Sequence, residues 1–281
     1  MKLPSITLLF FLLTTLSANA QDNTLALVTY KFKFVYADDT TNMILTDEYE
    51  AVVRKNEVSY FHTKNIDLDV RNKDILVTGV PHKSITFPKR VRQYQNLTDK
   101  FVLSAEQCSS EGFFLVKDKM TTIEWKLSKN TKKIKNIDCF SAQAEYRGRV
   151  WTAWYAPSIP VSSGPWLLYG LPGMILEAED LKKCVRFECM SVIIPAPAES
   201  KIVIPTVRDE KRNKNPITTA EFAKIFEKTL RNEEKMSIIK DANGGIASFS
   251  PAQVNTIEVY AFEKTFETKR FQQKLTGISK K

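Results

Sequence analysis

Histidine is nearly missing from this chain, with only His62 and His82 in 281 residues. Neither has a partner at ligand spacing, which argues against a zinc site and against a Cys-His nucleophile pair. The four cysteines, Cys108, Cys139, Cys184 and Cys189, include no Cys-x-x-Cys spacing. Their even number permits disulfides in an exported chain, with three pairings open. Cys184 and Cys189 face opposite sides of a straight strand, roughly 16 Å apart, and pair only across a bulge or turn. Glycine is scarce as well: nine residues argue against low complexity, and no internal repeat is visible. After the first twenty residues no segment approaches 18 consecutive apolar positions, so no membrane-spanning helix is expected in the mature chain.

What is present starts with an export signal. Met1 to Ala20 reads MKLPSITLLFFLLTTLSANA, with Lys2 before an apolar run and Ala18-Asn19-Ala20 offering small residues at the cleavage positions. Cleavage is expected at Ala20-Gln21, releasing a periplasmic or secreted protein, and no cysteine follows the cut to carry a lipid. With 43% hydrophobic and 26% charged residues the chain has globular composition. A single β-rich domain over 21–266 and a polar, loose tail over 267–281 are expected. The net charge of +9 permits binding to anionic surfaces. The lysines at 129, 132, 133 and 135, with Lys211, Arg212, Lys214, Lys280 and Lys281, read as solvated edges and loops. Nucleic acid does not suit an exported protein.

Period-two alternation dominates from Gln21 to about Ile194. Val28, Tyr30, Phe32, Phe34 and Tyr36 share one face of the first strand. Ala37 to Asn42 reads as a turn, and strands are predicted at 43–54, 57–63, 73–78, 84–87, 91–95, 99–104, 112–117 and 121–127. The stretch 133–156 reads as two further strands turning at Arg147-Gly148-Arg149, with Pro157 ending the second. Met174 to Glu179 and Cys184 to Ile194 follow, then an extended, proline-punctuated segment and a charged loop at 208–215. Thr218 and Glu221 form a capping box ahead of Phe222, Ile225, Phe226 and Leu230, which predicts a helix at about 219–235. A turn at Asn243-Gly244-Gly245 and a late strand at 253–266 complete the pattern. Short strands with polar turns predict a mainly β, antiparallel fold with that one late helix.

Residues 145–180 read EYRGRVWTAWYAPSIPVSSGPWLLYGLPGMILEAED. Arg147-Gly148-Arg149, Trp151-x-Ala153-Trp154, Ile159-Pro160, Gly164-Pro165-Trp166 and Gly170-Leu171-Pro172-Gly173 closely resemble the GLPGLI family of exported proteins, found chiefly in Bacteroidota. Trp125, Cys139 and Gln143-Ala144 fit the same pattern; Met174 stands where the family has leucine, a volume-conserving change. The resemblance implies an exported protein of unsettled function. By analogy with envelope carriers, the sheet is expected to be strongly curved, extending to a half-barrel.

For the block itself, Pro172 and Gly173 suit a type II turn, and Gly148, Gly164, Pro165, Gly170, Leu171, Pro172 and Gly173 read as a structural signature. The functional alternative is a binding rim. Trp151, Trp154, Tyr155 and Trp166 would line an apolar surface, with Arg147 and Arg149 facing outward to hold an anionic group. Strand alternation separates Trp154 from Trp151 and Tyr155 unless the strand bends. Glu177 and Glu179 share a strand face about 7 Å apart, but no nucleophile accompanies them. Asp39-Thr40-Thr41 matches a short O-glycosylation sequon. The expected function is non-enzymatic binding of an envelope lipid-like ligand or a partner protein through 145–176, without cofactor or metal. The alternatives are an accessory factor of an outer-membrane complex, or a hydrolase working through carboxylates or Cys139.

Overall fold

The computed structural model describes residues 24–37, 41–62, 67–72, 90–108, 111–236, 238–240 and 246–248. The expected signal peptide, the strands expected at 73–78 and 84–87, the turn expected at 243–245, the strand expected at 253–266 and the expected tail lie outside the described residues, as do residues 38–40 of the turn expected at 37–42.

The chain runs β1 (Thr24–Ala37), β2 (Thr41–Arg54), β3 (Glu57–His62), β4 (Asp67–Asn72), β5 (Arg90–Asn96), β6 (Phe101–Cys108) and β7 (Gly112–Lys119). Then come β8 (Lys126–Ile134), β9 (Ile137–Tyr146), β10 (Arg149–Ala156), β11 (Met174–Asp180), β12 (Val185–Ile193), α1 (Glu210–Lys214) and α2 (Thr219–Met236). A small hairpin, β13 (Ile238–Lys240) and β14 (Ile246–Ser248), stands apart. The main sheet is antiparallel, ordered β7-β6-β5-β3-β2-β1-β12-β11-β10-β9-β8, with β4 on β2. The protein is mainly β, as the alternation predicts, and β1 shows why. Val28, Tyr30, Phe32 and Phe34 are buried while Lys31 and Lys33 between them are exposed.

The sheet does not close, yet its ends come together. β7 and β8 are its two terminal strands, and ten spacings of ~4.8 Å would put them roughly 48 Å apart if it were flat. The six residues joining them can span only about 24 Å. Arg147, in the β9–β10 turn, also reaches Asp118 on β7 at 3.2 Å. The sheet is therefore strongly curved, leaving an open seam between β7 and β8.

That seam accounts for one correction. Of the stretch 121–127 only the last two residues are in a strand: β8 begins at Lys126, and 120–125 make no ladder. Ile123 and Trp125 serve as plugs. Ile123 is buried with Val102, Ala144, Leu167 and Tyr169, and Trp125 packs beside them. A second correction concerns 133–139, which is not one strand. Lys135 and Asn136 both adopt positive φ, 48° and 64°, and turn β8 into β9. The charged loop at 208–215 contains α1, whose N-cap Asp209 accepts from Lys211 N and Arg212 N.

α2 matches the predicted helix closely. Both arms of its capping box form: Glu221 N donates to Thr218 Oγ1 (3.2 Å) and Thr218 N donates to Glu221 Oε2 (2.8 Å). Those bonds to Thr218 hold the Glu221 carboxyl below its usual range. A carboxyl with a depressed folded-state pKa contributes stability above its unfolded value and loses it as the pH falls through its folded value. The start of α2 should therefore loosen on acidification, and Thr218→Ala should abolish that pH dependence in amide exchange of the first turn. Phe222 and Phe226 pack on Cys108, Phe114 and Val116 of β6 and β7.

Candidate functional site

The 145–177 block opens with a two-residue hairpin. Arg147 (φ 47°) and Gly148 (φ 78°) are both left-handed, and Tyr146 pairs with Arg149 across them, the geometry of a type I′ turn. β10 then presents Trp151, Ala153 and Tyr155 to one core cluster, with Phe32, Phe34, Leu168, Leu171 and Phe187. Trp154 packs on a different cluster, beneath the Lys132 ammonium 4.4 Å from its ring centroid. The separation expected from alternation is thus what the structure has. The irregularity in the β10–β11 register between Trp154 and Tyr155 does not undo it.

Residues 157–173 form a long connection back to β11, held from three sides. Its own strands hold it through Met174 N to Ile159 O (2.9 Å) and Ile175 N to Ser163 O (2.8 Å). The β3–β5 wing holds it through side chains. The Tyr60 hydroxyl donates to Gly164 O, Ser163 Oγ donates to Gln95 Oε1 (2.7 Å), and Gln95 Nε2 donates to Trp166 O (3.1 Å). Gln93 Nε2 also donates to Trp166 O. Burial pushes the Tyr60 phenol far above its usual range, so it remains a neutral donor. The seam segment supplies the third side: Trp125 Nε1 donates to Tyr169 O (2.7 Å) and Thr121 N to the Tyr169 hydroxyl (2.9 Å).

The Gly-Leu-Pro-Gly turn differs from the type II geometry expected. Gly173 N donates to Leu171 O at 2.8 Å, an i to i+2 bond closing a γ-turn about Pro172. Gly173 does take positive φ, 151°, and a Cβ there would lie 2.3 Å from Ala156 O. At Gly164 a Cβ would lie 2.6 Å from Ile175 Cβ. The block is therefore packed at backbone contact.

The six expected rim residues do not converge on one mouth. Trp151 is fully buried and Tyr155 is buried beside it. Arg149 does not face outward: it donates to the buried Asp180 at 2.9 Å, with only 10% of its side chain exposed. Arg147 pairs with Asp118 at 3.2 Å and lies 5.5 Å from the Tyr146 ring centroid. The reason is topological, since two arginines flanking a type I′ glycine are carried to different neighbouring strands. Trp166 is half-exposed, 5.5 Å from Trp151 and 6.1 Å from Tyr146 between ring centroids. Together with half-exposed Trp125 and Tyr146 it forms an aromatic wall with Arg147 at its edge. Tyr146 and the clamps Tyr60, Gln93, Gln95 and Asp118 were not singled out from the sequence. Two glutamines at i and i+2 in the strand predicted at 91–95 are the one available signal.

The other candidate groups are engaged elsewhere. Glu177 pairs with Lys132, Glu179 lies 3.9 Å from Arg186, and Asp180 also accepts from Val185 N at 2.7 Å. Among the described residues no group of three or more His, Cys, Asp or Glu is placed to hold a metal ion. None of the four cysteines is in a disulfide, and only Cys184 is not buried. Burial pushes the Cys139 thiol up to about 11 and Cys189 up to about 12, leaving both protonated at neutral pH. A disulfide-exchange reagent at pH 8 should therefore read one fast thiol per native chain and four in denaturant. A second fast thiol in the native chain would contradict this burial.

Residues 145–177 match the family model described as "Protein of unknown function (Porph_ging)". The match falls on the block just described and leaves the rest of the chain outside it. No curated protein matches the chain. Among solved structures, two of PNGF-II in different space groups resemble it, with TM-scores of 0.44 and 0.40 and identities of 16% and 17%. They cover 73% of this chain, which spans 34% and 33% of theirs.

Proposed function

We propose that the chain is an exported envelope protein, processed at Ala20-Gln21, that works by binding and not by catalysis. Trp125, Tyr146 and Trp166 take an apolar or amphiphilic ligand, or the apolar side chains of a partner protein, and Arg147 steers an anionic end. The observation behind this reading is Trp166. It is a half-exposed tryptophan held at φ 54°, a conformation costly for a bulky residue, with its carbonyl clamped by Gln93 and Gln95. A ring fixed in place before binding loses little entropy when a ligand arrives. Aromatic rings with an adjacent guanidinium suit a group that is apolar at one end and anionic at the other.

The test is native mass spectrometry of the chain purified from the envelope of cells that make it, with cross-linked partners identified in parallel. Wild type should carry a bound lipid-like species or a partner. Trp166→Ala should lose it while keeping its far-UV circular dichroism, and Arg147→Asn, which tolerates the left-handed turn, should weaken it by about tenfold. Retention by both variants would sink the proposal.

A further inference from the structure

The face that buries Trp151 and Tyr155 continues past them to the edge of the sheet. Residues directly opposite in a ladder point to the same side. Tyr155 is opposite Phe140 and Ala153 opposite Ala142. Phe140 is in turn opposite Thr131, and Ala142 opposite Leu127. One face therefore runs from the core to β8. Ala142 and Ala153 are wholly buried, whereas Phe140 is 38% and Leu127 61% exposed. This apolar strip emerges from the core at the open seam.

Lysines line the same edge strand. The sequence KLSKNTKKIK from 126 to 135 holds five lysines and no acid. Lys132 is taken up by Glu177 and the Trp154 ring. Lys126, Lys129, Lys133 and Lys135 are exposed. Lys133 makes one ion pair, 3.3 Å to Asp138, in which both side chains are about 70% exposed and which is worth little in water. Between Leu127 and Thr131 the register slips, so Ser128, Lys129 and Asn130 bulge from the edge.

A lysine-bearing bulge on an edge strand protects against strand addition. That protection does not account for an exposed leucine and phenylalanine set among the lysines. Apolar side chains to enter the acyl boundary and ammonium groups to meet anionic headgroups are what a bilayer surface selects. A polyanion would use the lysines alone, and the bulge obstructs an added peptide strand. We propose that the β8–β9 edge, with Leu127, Phe140 and Lys133 on one face, Lys129 in the bulge and Lys126 on the opposite face of the same edge strand, is a docking surface for an anionic lipid bilayer. Its residues are distinct from those assigned to ligand binding, so either assignment can fail without the other.

The test is co-sedimentation of the purified chain with vesicles of phosphatidylcholine, with and without 30 mol% phosphatidylglycerol added. Binding should need the anionic lipid and fall with added salt. Lys126→Gln/Lys129→Gln/Lys133→Gln should weaken it by on the order of 100-fold, from about a fivefold contribution per lysine near a charged surface. Leu127→Ser/Phe140→Ser should weaken it by at least tenfold, with thermal unfolding checking that the fold survives. Three results would overturn the proposal: no vesicle binding, equal binding to neutral vesicles, or binding unchanged in either variant. Loss in the lysine variant alone would point instead to a site for free polyanions, and would equally refute docking to a bilayer.

Discussion

Gly173→Ala is expected to cost the chain about 3–5 kcal/mol of stability. Gly173 has a φ of 151°, and an added Cβ would sit 2.3 Å from Ala156 O and 2.9 Å from Pro157 Cα. Those neighbours are backbone on the far side of the β10–β11 connection, so no side chain can swing away. Met174 N, the next amide, is bonded to Ile159 O, which prevents Gly173 from retreating. Backbone strain of ~1–3 kcal/mol and overpacking of similar size add to about 3–5 kcal/mol. That is a large part of the ~5–15 kcal/mol by which a domain is ordinarily stable. Gly112 is the control, since its φ is also positive, 83°, but a Cβ there meets only the end of Arg212 at 3.9 Å. Gly112→Asn should cost ~1 kcal/mol or less, because asparagine tolerates the left-handed region. Urea unfolding followed by tryptophan fluorescence reads both. A folded Gly173→Ala with an unchanged midpoint would mean that the connection can move, and that the signature is not a packing requirement.

The difference between these two glycines shows how much of the fold was legible beforehand. Features fixed by a residue's own neighbours in sequence could be read. The faces of β1, the Thr218–Glu221 capping box and the left-handed Gly148 all rest on local chemistry. The Lys135-Asn136 turn is local too, but it lacks the glycine that usually marks a type I′ turn, so the strand pattern of 133–139 runs straight through it. The stretch 121–127 failed for a different reason. Alternation at Ile123, Trp125 and Leu127 describes which residues are apolar, not whether a ladder partner exists: Leu127 finds one in Ala142, and 120–125 at the seam have none. The clamps on 162–166 come from Tyr60, Gln93 and Gln95, roughly 70 to 100 positions away, and no spacing rule in one sequence links them. The candidate site suffered most from this. Its aromatic residues were visible, but which of them are core and which remain exposed depends on how far the sheet curls. The arginines were misplaced because a turn fixes where they start and not which strand receives them.

The two arginines consequently predict opposite outcomes. Arg149→Met should be strongly destabilising, by about 3–5 kcal/mol, because it leaves Asp180, 2% exposed, buried without its cation. Asp180 cannot simply be made apolar in compensation, since its Oδ1 accepts from Val185 N at 2.7 Å in the β11–β12 turn. Asparagine keeps that acceptor and removes the charge, so Arg149→Met/Asp180→Asn should recover more than half of the loss. Non-additivity of this kind is what a coupled buried pair produces and independent sites do not. Arg147→Asn should cost only ~1 kcal/mol. Its ion pair with Asp118 is partly solvated, and Asp118 keeps Thr219 N, 3.0 Å away, as a partner. Urea midpoints for the four chains, read alongside ligand retention, separate the roles. If Arg149→Met were as stable as wild type, the 149–180 pair would not hold β10 to β11, and Arg149 would return as a candidate for ligand contact. If it is destabilised and the double variant is rescued, any loss of binding in Arg149 variants reports the fold, and only Arg147 can report the site.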